Sequence, residues 1–306
     1  MRGDATAVAF QFAGLALAPL VPGMIQMVKA RLQGRRGASP LQPYRDLRRL
    51  WRKRVVAPHD TTFVYRMAPS LSAAALACAL LIVPFAGSTN GWFGSDMLVL
   101  VGLLALARFA TAAAAWDPGG GFSLMGAGRD LMFSVFAEPL LLLAFVLVAL
   151  GAGSTDLVQM VAAAGHAHVA STPAHWCAAL AFGLVVLVET GRQPIDNPDT
   201  HLELTMVHEG PLLEYAGRDL AMLQWTAAAR HWLVLVLAAS LFVPLPLTAP
   251  ANVLALAAVV TAFCVAVAFV ETSLAKMRIL RVPVLLGIGI AVCVIGLASW
   301  IGGGAT

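Results

Sequence analysis

Apolar residues along this chain fall into eight long runs separated by short polar segments. The runs lie near 6–28, 66–87, 95–115, 130–150, 174–190, 221–244, 251–272 and 283–301. A helix needs roughly 20 consecutive apolar residues to cross a bilayer. In lipid its backbone polar groups must be paired internally, which favours helices. The pattern therefore predicts an all-α, polytopic membrane protein with eight transmembrane helices. Residues 1–306 read as a single integral membrane domain.

Charge in the connecting segments orients these spans. Between the first and second spans stand Arg31, Arg35, Arg36, Arg45, Arg48, Arg49, Arg52, Lys53 and Arg54. Arg129 follows the third span, Arg192 and Arg218 the fifth, and Lys276, Arg278 and Arg281 the seventh. The segments after spans two, four and six hold no Lys or Arg, and neither does the tail. This alternation predicts that both termini lie outside and the four basic segments in the cytoplasm. The first span is expected to remain in place, because its strong positive charge follows a long apolar core. A cleavable leader carries that charge in front.

Composition agrees with the pattern. Hydrophobic residues make up 59% of the chain, charged residues 12%, and mean hydropathy is +0.82. Soluble domains carry about 25% charged residues. The four cysteines, Cys78, Cys177, Cys264 and Cys293, all fall within predicted spans and none shares a metal-site spacing. They read as small buried hydrophobes, so no metal or cluster is expected in this chain.

Residues 30–60 form a basic cytoplasmic loop. Within it, residues 41–54 have Leu41, Tyr44, Leu47, Leu50 and Trp51 on one helical face, with arginines elsewhere. That predicts an amphipathic helix lying in the membrane interface. It serves either contact with lipid headgroups or docking of a peripheral protein. No nucleic-acid motif accompanies the charge, so nucleic acid is not expected.

Ionisable residues inside spans are costly and point to function. Arg108 and Glu138 fall at similar depth, roughly 10 Å from the cytoplasmic end at helical rise. As opposite charges on consecutive spans they are candidates to pair. Arg230 and His231 lie deeper in the sixth span, while Asp130, Glu189 and Glu271 sit near cytoplasmic ends. Together these residues outline a polar path toward mid-membrane, set against a reading as structural ion pairs and snorkelling ends.

The densest chemistry lies in residues 189–217, an acidic cytoplasmic loop. It carries Glu189, Asp196, Asp199, Glu203, Glu209 and Glu214. Asn197 and Pro198 predict the start of a short helix, which Gly210 and Pro211 end. His201, Glu203 and His208 match no zinc motif, since His208–Glu209 is not followed by a second histidine at metalloprotease spacing. So many carboxylates in one connection suggest a working surface.

At this point a family resemblance is visible. It rests on Ala30 through Asp46, on Met125 through Asp130 with Ala137–Glu138–Pro139, on Glu189 through Tyr215, and on Glu271 through Arg278. In these segments the chain resembles the membrane subunit shared by respiratory complex I and the group 4 membrane-bound nickel–iron hydrogenases. The run from Asp196 to Glu209 is closer to the hydrogenase-4 and formate hydrogenlyase branch. The glycine-rich stretch from Trp116 to Phe122, and Gly128, depart from the family's usual pattern.

The resemblance implies a non-catalytic subunit that anchors a peripheral redox arm and links it to proton or sodium movement through antiporter-like subunits. Implied partners are a hydrogenase-like large subunit and an iron–sulfur small subunit, in a prokaryotic cytoplasmic (inner) membrane. Iron–sulfur clusters, and nickel–iron where it is retained, would belong to those partners; a quinone stays open. Arg31, Arg35, Arg36, Tyr44, Arg45 and Arg192 would dock the arm. Glu138, Glu189, Asp196, Asp199, Glu203, Glu209, Glu214 and Glu271, with Arg108, Asp130, Arg230 and His231, would form the coupling path. Two other readings stand beside it: a quinone-site subunit of a complex I-like oxidoreductase, and a free-standing secondary transporter. A transporter would predict inverted repeats, and no convincing repeat relates the two halves.

Overall fold

The computed structural model describes residues 11–85, 94–196, 206–245 and 251–303. Among these the chain is helical, with an isolated bridge between Asp96 and Asp156. The helices are α1 (Gln11–Leu17), α2 (Leu20–Leu32), α3 (Gln42–Trp51), α4 (Phe63–Ile82), α5 (Met97–Trp116), α6 (Gly121–Ala152), α7 (Leu157–Ala164), α8 (Ala167–Ala170), α9 (Pro173–Glu189), α10 (Gly217–Phe242), α11 (Ala251–Ser273) and α12 (Val282–Gly303).

Among the described residues, six helices are individually long and apolar enough to span a membrane: α4, α5, α6, α10, α11 and α12. The predicted first span is instead a bent pair, α1 and α2, meeting at 44°. Pro19 at the break and Pro22 just beyond it explain the bend, because proline gives no N–H to the helical ladder. The predicted fifth span is α9, with 17 residues. At 1.5 Å per residue it is about 25 Å long, short of the roughly 30 Å hydrocarbon core.

Local sequence sets the helix ends. The side chains of Thr62, Asp96, Asp156 and Thr172 accept backbone N–H groups at the starts of α4, α5, α7 and α9, satisfying donors that a first turn leaves free. Asp117, just past α5, accepts both the N–H and the hydroxyl of Thr62 at 2.7 Å, joining α4 to α5.

Helix α10 is the central post. Every residue from His231 to Leu241 is buried, as expected of a helix apolar all round. It packs against α2, α3, α4, α7, α9 and α11. α11 and α12 keep most of their surface outward, including Leu254, Phe269, Val284 and Ile295.

The connections gather at two ends. At one, Met97 N–H donates to the Thr155 carbonyl and Leu157 N–H to that of Ser95. At the other end meet the basic segments. Met277 N–H donates to the Pro194 carbonyl at 2.8 Å, and Arg129 donates to the Met206 carbonyl at 3.0 Å. Gly126 on α6 stands against Gly210, where a Cβ would lie 2.7 Å from the opposing Cα. α3 lies at this same end with no buried residue, Leu41 and Trp51 being more than half exposed. Its Tyr44 hydroxyl donates to the Ala16 carbonyl at 2.6 Å, beside the α1–α2 break. That bond and burial, which raises its pKa, tie Tyr44 to the bundle.

Candidate functional site

The charged residues placed inside spans converge on one buried network. Arg108 of α5 is 6% exposed and reaches three carboxylates. They are Glu189 of α9 at 2.6 Å, Glu138 of α6 at 3.3 Å and Asp130 of α6 at 3.7 Å. The expected pairing of Arg108 with Glu138 is present, but the tighter partner is Glu189. Glu189 is 3% exposed and bridges two guanidinium groups, its second oxygen standing 2.7 Å from Arg230 of α10. Arg230 also donates to the Leu104 carbonyl at 3.3 Å. Buried charges persist only when paired and hydrogen-bonded, and Arg108, Glu138, Glu189 and Arg230 are hydrogen-bonded to one another across four helices.

The network continues into the acidic loop through His208. Its Nε2 lies 3.6 Å from Asp130 and its Nδ1 3.5 Å from Asp196. Asp196 is held from three further directions. It accepts the N–H groups of Val207 and His208 at 3.2 and 3.3 Å, and Lys276 Nζ at 2.8 Å. Burial opposes its charge, but the contacts with His208 and Lys276 prevail and hold its carboxyl well below the usual carboxylate range. For His208, burial disfavours the cation, yet Asp196 and Asp130 outweigh burial and the opposing Arg108, so its pKa is raised.

A second buried set lies nearby. Glu271 of α11 accepts Arg192 at 3.2 Å and faces Lys29 of α2 at 3.4 Å. Arg192, expected among the docking arginines, is only 6% exposed and belongs to this set. Burial removes it from any outward surface. By contrast Arg31, Arg35, Arg36 and Arg45 are exposed, with Arg35 bonded to Gln33.

Beside both sets opens a cavity of about 600 Å³. It is bounded by the α1–α2 break, α3, the 190–196 segment, the 206–215 loop and α10. Arg192, Asp196, His208, Glu209 and His231 are among its polar lining residues, with Pro19, Leu47, Met206, Leu212 and Leu220 among the apolar ones. His231 is buried with Nε2 unbonded.

Glu214 has a different place from that expected. Its carboxylate lies against Gly120 at the start of α6, where any side chain on Gly120 would collide with it. This close approach accounts for Gly120 within the glycine-rich stretch before α6. Tyr65 and Tyr215 stack with ring centroids 4.3 Å apart and fix this loop, each donating to the other's segment. Asp199, His201 and Glu203, and the short helix expected from Asn197, lie outside the described residues. Among the described residues, no three His, Cys, Asp or Glu side chains form a set able to hold a metal ion.

The sequence reading missed Lys29 and gave no pairing role to His208 or Lys276. Lys29 carried a signal: it stands four and eight residues from the buried Ile25 and Val21, on the inward face of α2. His208 and Lys276 carried none, because their partners are set by loop packing.

A multi-pass helical membrane protein whose helices enclose charges linked to loops at one end of the bundle is the class these features define. Known proteins narrow it. The NADH dehydrogenase family model matches residues 5–299, and this chain belongs to that family. It is 32% identical to hydrogenase-4 component C of Escherichia coli (strain K12), over 94% of this chain and 93% of that one. It is also 32% identical to formate hydrogenlyase subunit 4 of the same organism, over 86% and 88%. An NADH-quinone oxidoreductase subunit from Salinibacter ruber is 27% identical over 64% of this chain and 59% of its own length. The fold is shared with a chain of the membrane-bound sulfane sulfur reductase, an archaeal respiratory membrane complex. The TM-score is 0.82 at 20% identity, covering 98% of this chain and 100% of that one.

Proposed function

We propose that this chain is the anchoring and charge-coupling membrane subunit of a hydrogenase-4-like oxidoreductase complex. The observation that carries the reading is the run of buried ion pairs from Glu138 through Arg108 and Asp130 to His208 and Asp196. Carboxylates sharing cations in a low-dielectric site have mutually dependent proton affinities. A charge change at the loop end is therefore felt through Arg108 at Glu138, whose side chain is 38% exposed on the flank of α6. In this reading Glu138, Glu189, Asp196, Glu209 and Glu271 carry or relay the coupling, with Asp199 and Glu203 extending it. Exposed Arg31, Arg35, Arg36 and Arg45 dock a peripheral arm made of a hydrogenase-like large subunit and an iron–sulfur small subunit. Antiporter-like subunits move the ion. Relatives bearing the hydrogenase-4 and formate hydrogenlyase names over nearly their whole length support this choice.

The topology belongs to the same proposal. Counting the bent α1–α2 pair and α9, the chain crosses a prokaryotic cytoplasmic membrane eight times with both termini outside. The alternation of basic segments and their meeting at one end of the bundle support that orientation. A second reading, a quinone-site subunit, draws on the cavity of about 600 Å³, which falls in the 300–1,000 Å³ span typical of ligand pockets.

The experiment is Glu138→Gln in the assembled complex, measuring ions moved per turnover in sealed vesicles. The proposal expects a lowered ratio with assembly intact. An unchanged ratio would remove Glu138 from the path.

A further inference from the structure

We propose that His208 is the proton-exchanging link between the cavity and the buried network, held as an imidazolium between Asp130 and Asp196. The inference rests on the coupling role proposed above.

The geometry carries it. Each ring nitrogen of His208 faces a carboxylate oxygen, Nε2 toward Asp130 at 3.6 Å and Nδ1 toward Asp196 at 3.5 Å. A neutral imidazole has one N–H and one bare lone pair, so it can satisfy only one of these carboxylates. The doubly protonated ring presents an N–H to both, at ion-pair separations of 3.6 and 3.5 Å.

The ring is positioned for this task by the chain around it. Asp196 accepts the His208 backbone N–H as well as facing its ring. Gly191 has φ +60°, and a Cβ there would lie 2.8 Å from His208 Nδ1, so a glycine clears the ring's place. From the other elements packed on the site, Asp130 approaches on α6, Arg108 on α5, and Lys276 through Asp196. Both ring nitrogens are shielded, but the side chain remains 28% exposed and lines the cavity. The attracting carboxylates outweigh burial and Arg108, so the ring keeps its proton above the usual histidine range.

The exchange step is a simple proton transfer. The Nε2–H bond breaks, its electron pair stays on the ring, and the proton forms an O–H bond on Asp130. Nδ1–H remains toward Asp196, and the net charge is unchanged. The replacement proton comes from a hydronium ion in the cavity and reaches Nε2 when the ring, 28% exposed there, swings that shielded nitrogen toward the cavity. Asp130, now neutral, releases its hold on Arg108, and the guanidinium's contacts with Glu189 and Glu138 readjust.

The test compares the intact complex in sealed vesicles as wild type, His208→Gln and His208→Lys, reading ions moved per turnover across pH. Wild type should lose coupling over an alkaline limb as the imidazolium deprotonates. His208→Gln should lose most of the coupled ion movement and abolish the limb. His208→Lys should move the limb upward by more than a pH unit, toward the higher lysine pKa. A Gln variant with the wild-type ratio and limb overturns the proposal, as does a Lys variant whose limb does not move. If the Gln variant does not assemble, the Lys variant decides. Glu138→Gln run in parallel separates the two levels. Coupling lost there but untouched in both His208 variants rejects the His208 link alone, whereas coupling untouched in all three rejects the coupling role itself.

Discussion

Replacing Glu189 by Gln removes the carboxylate that bridges Arg108 and Arg230 while keeping its shape. In the native protein its two oxygens stand 2.6 and 2.7 Å from the two guanidinium groups, and the side chain is 2% exposed. Arg108 still has Glu138 at 3.3 Å and Asp130 at 3.7 Å after the change. Arg230 keeps the Leu104 carbonyl at 3.3 Å, a neutral acceptor. The cost therefore falls mainly on Arg230, left charged and under-compensated near the centre of the bundle. Removing one partner of a buried pair costs about 3–5 kcal/mol. The remaining amide oxygen places Glu189→Gln near the lower figure, about 3 kcal/mol. The assay is the thermal unfolding midpoint in detergent with yield of folded protein, and exposed Arg36→Gln is the control, expected within about 0.5 kcal/mol of wild type. Adding Arg230→Gln to Glu189→Gln should recover part of the loss, with a coupling of about 1–3 kcal/mol for groups in contact. A Glu189→Gln protein as stable as the control, or strict additivity in the double variant, would refute the reasoning.

Two other outcomes are expected. Reversing Arg35 and Arg36 to Glu should strip the peripheral arm from membranes without unfolding this subunit, since both residues are exposed; an arm retained at high salt would count against docking there. Asp196, whose carboxyl is held below its unfolded value of about 3.9, stabilises the loop above that value and loses this contribution as pH falls through its folded pKa. Unfolding followed from pH 5 downward should show that acid limb, and Asp196→Asn should flatten it; a limb unchanged in the variant would place its origin elsewhere.

Much of the membrane architecture was legible because apolar run length is a strong signal. Six of the predicted spans correspond to helices that meet length and hydropathy on their own. The other two depend on details that run length does not carry: Pro19 breaks the first, and α9 stops at 17 residues where Glu189 turns into the loop. Individual charges inside spans were also legible, since their cost marks them wherever they stand. Their partners were only partly so. Matching depth pointed from Arg108 to Glu138, but the closest contact is to Glu189, because α5, α6 and α9 converge at that level. Arg192 looked like a surface arginine because it follows a span, yet the segment folds inward and sets it against Glu271. His208 gained its two carboxylates from a loop whose course depends on Gly191 and Asp196, a relation no local pattern records.

Membership in a complex is the claim on which the coupling reading stands. Mass spectrometry of whatever copurifies with this chain in mild detergent tests it most directly. The expected result is a hydrogenase-like large subunit, an iron–sulfur small subunit and antiporter-like membrane subunits in stable association. A chain that purifies alone and moves ions by itself would contradict it.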